Sequence, residues 1–146
     1  MNDRQFTDTC GDVYEYLEAC VAKENYGEAD RCNRKEIISQ LCKLQRFYGL
    51  KIKSCQNAKT MDGLLKVVAC IQTMMDEYKH AHLQMVRDKI DPETMFSKTR
   101  AADEIVDTVA RIPYEMDTDT ANADDILDEF ETNLGKLKSA LTTNAP

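Results

Sequence analysis

The stretch CGDVYEYLEACVAKENYGEADRCNRKEIISQLC, residues 10–42, decides the fold that this sequence predicts. It contains two cysteine pairs of the same spacing, Cys10 with Cys20 and Cys32 with Cys42, each with nine residues between its members. A ten-residue step is one heptad plus three, so both cysteines of a pair lie on nearly one side of a helix, about 15 Å apart. Folding the two helices back on each other brings Cys10 opposite Cys42 and Cys20 opposite Cys32. The spacing therefore predicts an antiparallel helical hairpin.

Residues that end or start helices lie between and beyond the two pairs. Gly27 follows the first pair and suits the left-handed residue after a helix C-terminus. Asp30 is the predicted N-cap of the second helix, and Gly49 is predicted to close it in the same way as Gly27. The sequence thus predicts helices over 9–25 and 30–48.

The segment 10–42 resembles the twin C-x9-C family, the coiled-coil-helix-coiled-coil-helix (CHCH) proteins of the mitochondrial intermembrane space, over about a quarter of the chain. Members of that family carry a docking signal for the oxidative import machinery, of the form apolar-x-x-apolar-apolar-x-x-Cys. Val13, Tyr16, Leu17 and Cys20 fit this signal position by position. The resemblance implies that Cys20 is the docking cysteine and that disulfide formation traps the imported protein. The same apolar residues also fit the buried face of a helix, and both roles are compatible.

Disulfides are the predicted role of the four motif cysteines, paired Cys10–Cys42 and Cys20–Cys32. Two short helices bury too little apolar surface to hold a hairpin by themselves, and a disulfide across a loop of this size contributes roughly 3 kcal/mol on chain-entropy reasoning. A tetrahedral zinc site is the competing interpretation. Zinc sites usually take closely spaced cysteine pairs, however, and cysteines ten apart on a helix do not converge on one ion. The sequence predicts no metal and no cofactor.

Cys55 and Cys70 lie outside the twin motif. A third bridge between them requires the segment 53–60 to loop back, and free thiols acting as small apolar side chains are the favoured interpretation. No Cys-Pro-Cys and no adjacent cysteines are present, so the motifs that the redox and copper-handling relatives of this family use are missing.

Composition sets further bounds on function. The chain has 146 residues, six cysteines and a net charge of -7. Phosphate backbones require a basic surface, so this charge argues against nucleic acid as a partner. Six cysteines are unusual for a protein kept reduced in the cytosol. The first residues show neither a secretory signal nor an Arg-rich matrix presequence, and no apolar run has the length of a membrane span, although a peripheral membrane location stays open.

Apolar periodicity predicts more helices after the hairpin. Residues at three- and four-residue steps predict a long helix over 61–90 and a second over 92–112, with Pro92 at its first turn. Met74, Met75 and Met85 are predicted to serve packing, and His80 and His82 are predicted to be surface histidines. The predicted organisation is a hairpin over 1–50, the two helices within 51–112, an acidic linker over 113–123, and a C-terminal helix and tail over 124–146, the helix itself ending at 141.

Two apolar stripes lack an obvious cover within the hairpin and are predicted to bind partners. One stripe on the second helix turns away from the cysteine side and is predicted to pack on the 61–90 helix or on another subunit. The other is a five-position a/d seam on the C-terminal helix, predicted to dock on a neighbouring protein or a second copy, with packing back onto the 61–90 helix as the alternative. The stripes consist of Ile37, Leu41 and Leu44, and of Leu127, Phe130, Leu134, Leu137 and Leu141.

The sequence therefore predicts an all-α protein without a catalytic site. The expected function is that of a non-catalytic structural or accessory subunit of a large mitochondrial membrane complex, a respiratory-chain complex or the ATP synthase, contacted from the intermembrane space. Its expected partners are other subunits of that complex and the oxidative import machinery. Two alternatives stay open: a soluble assembly factor or lipid-transfer partner in the same compartment, and a redox or metal-handling protein.

Overall fold

Helices make up nearly all of the described part of the chain, which comprises residues 28–117 and 122–142 of a computed structural model. No strand is present within those ranges, so the predicted all-α class is confirmed. The predicted helix over 9–25 lies outside the described residues. The elements are α1 (Glu28–Ser54), α2 (Ala58–Arg87), α3 (Pro92–Ala110), the single-turn α4 (Ile112–Glu115) and α5 (Ala123–Leu141).

The four long helices pack side by side in a ring. Helix α1 packs against α2 and α3, and α5 packs against the same two helices from the other side. The second helix of the predicted hairpin is thus one wall of a bundle that includes the segments predicted to extend beyond it. Each long helix has two neighbours, which lets it bury a broad apolar face.

Helix α1 differs from its predicted bounds at both ends. It continues past Gly49 as far as Ser54, and Asp30 lies inside the helix rather than capping it. Tyr48 is fully buried and Ile52 packs against the core, so helical structure on both sides of Gly49 is needed to place them. Their burial outweighs the cost of about 1 kcal/mol for a glycine inside a helix.

The starts of the other helices follow from local hydrogen bonding. Asn57 caps α2, since its side chain accepts from the backbone N–H of Lys59 at 3.0 Å and of Thr60 at 3.1 Å. Asp91 caps α3 through the Thr94 N–H at 3.0 Å, and Pro92 occupies the first turn as predicted. These short side chains satisfy amide groups that a helix N-terminus leaves open.

The core runs through all four long helices. Tyr48 of α1 meets Phe130 of α5 edge to face at 5.6 Å between ring centroids, so aromatic packing joins the two helices that lie across the ring. The predicted packing role of the methionines is confirmed, because all three are buried. The largest fully buried side chains include Ile37, Leu41, Tyr48, Leu64, Ile71, Met74, Tyr78, Met85, Met95, Ile126 and Phe130.

The two stripes predicted to bind partners are covered by the chain itself. Ile37, Leu41 and Leu44 are buried between α1 and its neighbours. On α5 the seam also faces inward, against α2 and α3, and this corresponds to the alternative of packing back onto the 61–90 helix. The prediction that this helix docks on a neighbouring protein is therefore wrong, because α2 and α3 of the same chain cover its apolar seam. Phe130, Leu137 and Leu141 are buried, and Leu127 and Leu134 are half-buried.

Two helical glycines differ in their surroundings and make a matched test of the packing. A Cβ atom on Gly63 of α2 would lie 2.6 Å from the Cβ of Ala123 on α5, whereas one on Gly135 would meet nothing within 4 Å. We expect Gly63→Ala to lower the free energy of unfolding by about 1–3 kcal/mol, because the helices must separate. Gly135→Ala should raise it by about 0.5–1 kcal/mol through helix propensity. Urea unfolding followed by circular dichroism measures both, and equal effects would contradict the close α2–α5 contact.

Candidate functional site

A cluster of polar side chains lies inside the bundle where the first turns of α1 meet α2 and α3. Asp30 and Arg34 come from α1, His82 from α2 and Thr99 from α3, and none of the four is more than 3% exposed. Asp30 and Arg34 are four residues apart, so they lie on one face of α1 and form an ion pair. These residues are the one place among the described residues where several ionisable side chains are fully buried together.

Hydrogen bonds tie the Asp30 carboxylate to two helices. The Thr99 hydroxyl donates to Asp30 Oδ1 at 2.9 Å, and Arg34 Nη1 donates to Asp30 Oδ2. At the edge of the cluster, Asn33 Nδ2 lies 3.4 Å from the Thr99 hydroxyl and donates to it. A buried carboxylate is tolerated when it is paired and hydrogen-bonded in this way. The cluster therefore fixes the position of α1 against α3.

His82 is the electrostatically exceptional member. Its side chain is fully buried, its ring meets the Tyr78 ring at 5.6 Å, and neither ring nitrogen has a hydrogen-bond partner in the described part of the chain. Burial and, secondly, the nearby Arg34 guanidinium lower the pKa of His82 to about 3. Its Nε2 lies 4.0 Å from Asp30 Oδ2, which is an ion pair only for a protonated ring. The lowered pKa therefore makes His82 a neutral side chain near pH 7.

The sequence did not reveal this cluster. His82 was expected at the surface with His80, and that prediction is right for His80, which is exposed, and wrong for His82. A signal was present: His82 follows the buried Tyr78 by four residues and precedes the buried Met85 by three, so it continues the apolar stripe of α2. Asp30 was assigned to a helix cap because its sequence position suits one.

The chemistry open to the cluster is limited by its burial. An acid, a base and a hydroxyl lie within reach of one another, but a substrate has no access to side chains that are at most 3% exposed. Within the described residues, no group of three or more His, Cys, Asp or Glu side chains is arranged to hold a metal ion. The geometry supports a structural role, in which the hydrogen bonds of the cluster fix the relative register of α1 and α3 while His82 of α2 packs beside them.

The cysteines of the predicted hairpin differ from one another. Cys42 is disulfide-bonded, and no disulfide joins it to another described residue, since Cys32, Cys55 and Cys70 are free thiols. The pairing of Cys42 with Cys10 stays a prediction, because Cys10 lies outside the described residues.

The prediction of a bridge between Cys20 and Cys32 is wrong, because the Cys32 thiol is free and exposed. Cys32 lies two residues from the buried Asp30 and two from the buried Arg34, about 200° around the helix from each. It therefore projects away from the bundle. The stapled hairpin as a whole is not seen in the described residues, and the import-docking residues Val13, Tyr16, Leu17 and Cys20 lie outside them.

The free thiols outside the motif are confirmed, and they lie in different environments. Cys55 is half-buried in the short α1–α2 connection, whereas Cys70 is buried within α2. Burial, together with the Glu131 carboxylate, raises the pKa of the Cys70 thiol to about 11. A thiol reacts as its thiolate, so Cys70 is expected to be unreactive at neutral pH.

We expect alkylation to separate the four described cysteines. Iodoacetamide at pH 7.5 should modify Cys32 first and Cys55 more slowly, because they are free and reach solvent to different degrees. Cys70 should react only after unfolding, and Cys42 only after unfolding and reduction. Peptide mass spectrometry measures each site, and non-reducing digestion should identify Cys10 as the partner of Cys42. Modification of Cys42 in unfolded, unreduced protein would contradict the disulfide.

Depressions on the surface of the described part include two of similar volume. One, of about 430 Å³, lies between α1 and the ends of α3 and α4, with an apolar floor. The other, of about 440 Å³, lies between α2 and α5 and has polar walls that include Glu77, His80 and Lys138. No residue of the buried cluster lines either depression. None of the described helices is long and apolar enough to cross a bilayer.

Comparison with known proteins adds no family to this picture. No protein-family model matches the chain, and no curated protein or solved structure is significantly similar to it.

Proposed function

We propose that the chain is a non-catalytic accessory protein of a mitochondrial membrane complex, a respiratory-chain complex or the ATP synthase, which it contacts from the intermembrane space. The observation that carries the proposal is the oxidised Cys42 within the twin C-x9-C register. Disulfides persist in oxidising compartments and are rare in the cytosol. The free Cys32 means that the proposal requires one bridge to the N-terminal segment and not two.

The non-catalytic part of the proposal is supported by the location of the reactive groups. His82 and Asp30 are sealed in the core, and the buried Cys70 has a raised pKa. A site of catalysis is normally a cleft in which such groups converge and are reached by substrate. The arrangement of the described residues favours a protein that acts through its surface.

A soluble assembly factor of the same compartment is the second candidate, and one observation favours it. The seam of α5 and the stripe of α1 are buried within this chain, so neither requires a partner subunit. A bundle that covers its own apolar faces is suited to an exchanging protein as well as to a permanent subunit. Accessory subunit and assembly factor share the compartment and differ in stoichiometry.

A fractionation experiment tests the compartment and separates the two candidates. The full-length chain with a C-terminal tag should be protected from protease in intact mitochondria and become accessible when the outer membrane is opened. Cys42→Ser should reduce its accumulation there, and Cys55→Ser, which removes a thiol that is free, should not. Native gels then decide the class: co-migration with a mature complex identifies a subunit, and co-migration with intermediates alone identifies an assembly factor. A cytosolic or matrix location would overturn the proposal.

A further inference from the structure

We draw no further inference here: the strongest candidate, the apolar groove between α1 and the ends of α3 and α4 with the exposed Tyr114 at its rim, carries nothing, because charges of both signs line it and nothing in the structure shows what covers it.

Discussion

Phe130→Ala should lower the free energy of unfolding of the isolated chain by about 3–5 kcal/mol, the range for removing a large aromatic side chain from a packed core. Phe130 is fully buried and stacks edge to face on Tyr48 of α1, so truncation leaves a cavity at the centre of the bundle and removes an aromatic contact. Urea denaturation of the purified protein, followed by circular dichroism, measures the loss. This is the largest single effect that the described contacts predict on α5.

The control for this prediction is Leu127→Ala on the same helix. Leu127 is half-buried, so its replacement should cost clearly less than that of Phe130. The comparison also decides between the two roles that the seam of α5 can have. If Phe130→Ala left the isolated chain as stable as before and weakened only its association with another protein, α5 would belong to a partner interface. The packing of α5 against α2 and α3 would then be contradicted.

The second large effect is a loss of stability in acid that depends on His82. The pKa of this side chain is about 3 in the native state and 6.5 in an unfolded chain. Above pH 6.5 the ring is neutral in both states and contributes no pH dependence. Between pH 6.5 and pH 3 the unfolded chain binds a proton that the native chain does not, so falling pH favours unfolding. At about 1.4 kcal/mol per unit of pKa difference, the loss reaches roughly 5 kcal/mol at the acid end.

His82→Gln should remove this pH dependence, because glutamine does not titrate. The measurement is the free energy of unfolding in urea at pH 7, 6, 5 and 4 for the wild type, His82→Gln and the control His80→Gln. His80 is exposed on the same helix, and its variant should follow the wild type. Since carboxylates also titrate below pH 5, the informative quantity is the difference between the wild type and His82→Gln. Parallel curves for the two would show that the buried ring does not carry the effect.

The sequence indicates the roles of Phe130 and His82 to different degrees. Phe130 was recognised as part of an apolar seam, and only the surface that covers it was misjudged. His82 was not recognised as buried at all. Among the cysteines, the register was visible in the sequence, whereas the free state of Cys32 was not. The groove between α1 and the ends of α3 and α4 had no counterpart in the sequence, because its walls come from segments about 70 residues apart, at Lys43 and Arg111.

The sequence by itself determined the helices, because a helix is a local structure. The three- and four-residue apolar steps of α2, α3 and α5 depend on neighbours within one or two turns, and so do the Asp91 cap and Pro92 that start α3. Tertiary structure decided what each apolar face covers, since the periodicity of a stripe contains no information about its partner. Helix α5 buries its seam against α2 and α3 of the same chain. Helix α1 continues past Gly49, because Tyr48 and Ile52 pack against the core. The neutral His82 is enclosed beside Asp30. Each of these depends on contacts between residues far apart in sequence, whose free energy exceeds the local preferences that a sequence displays.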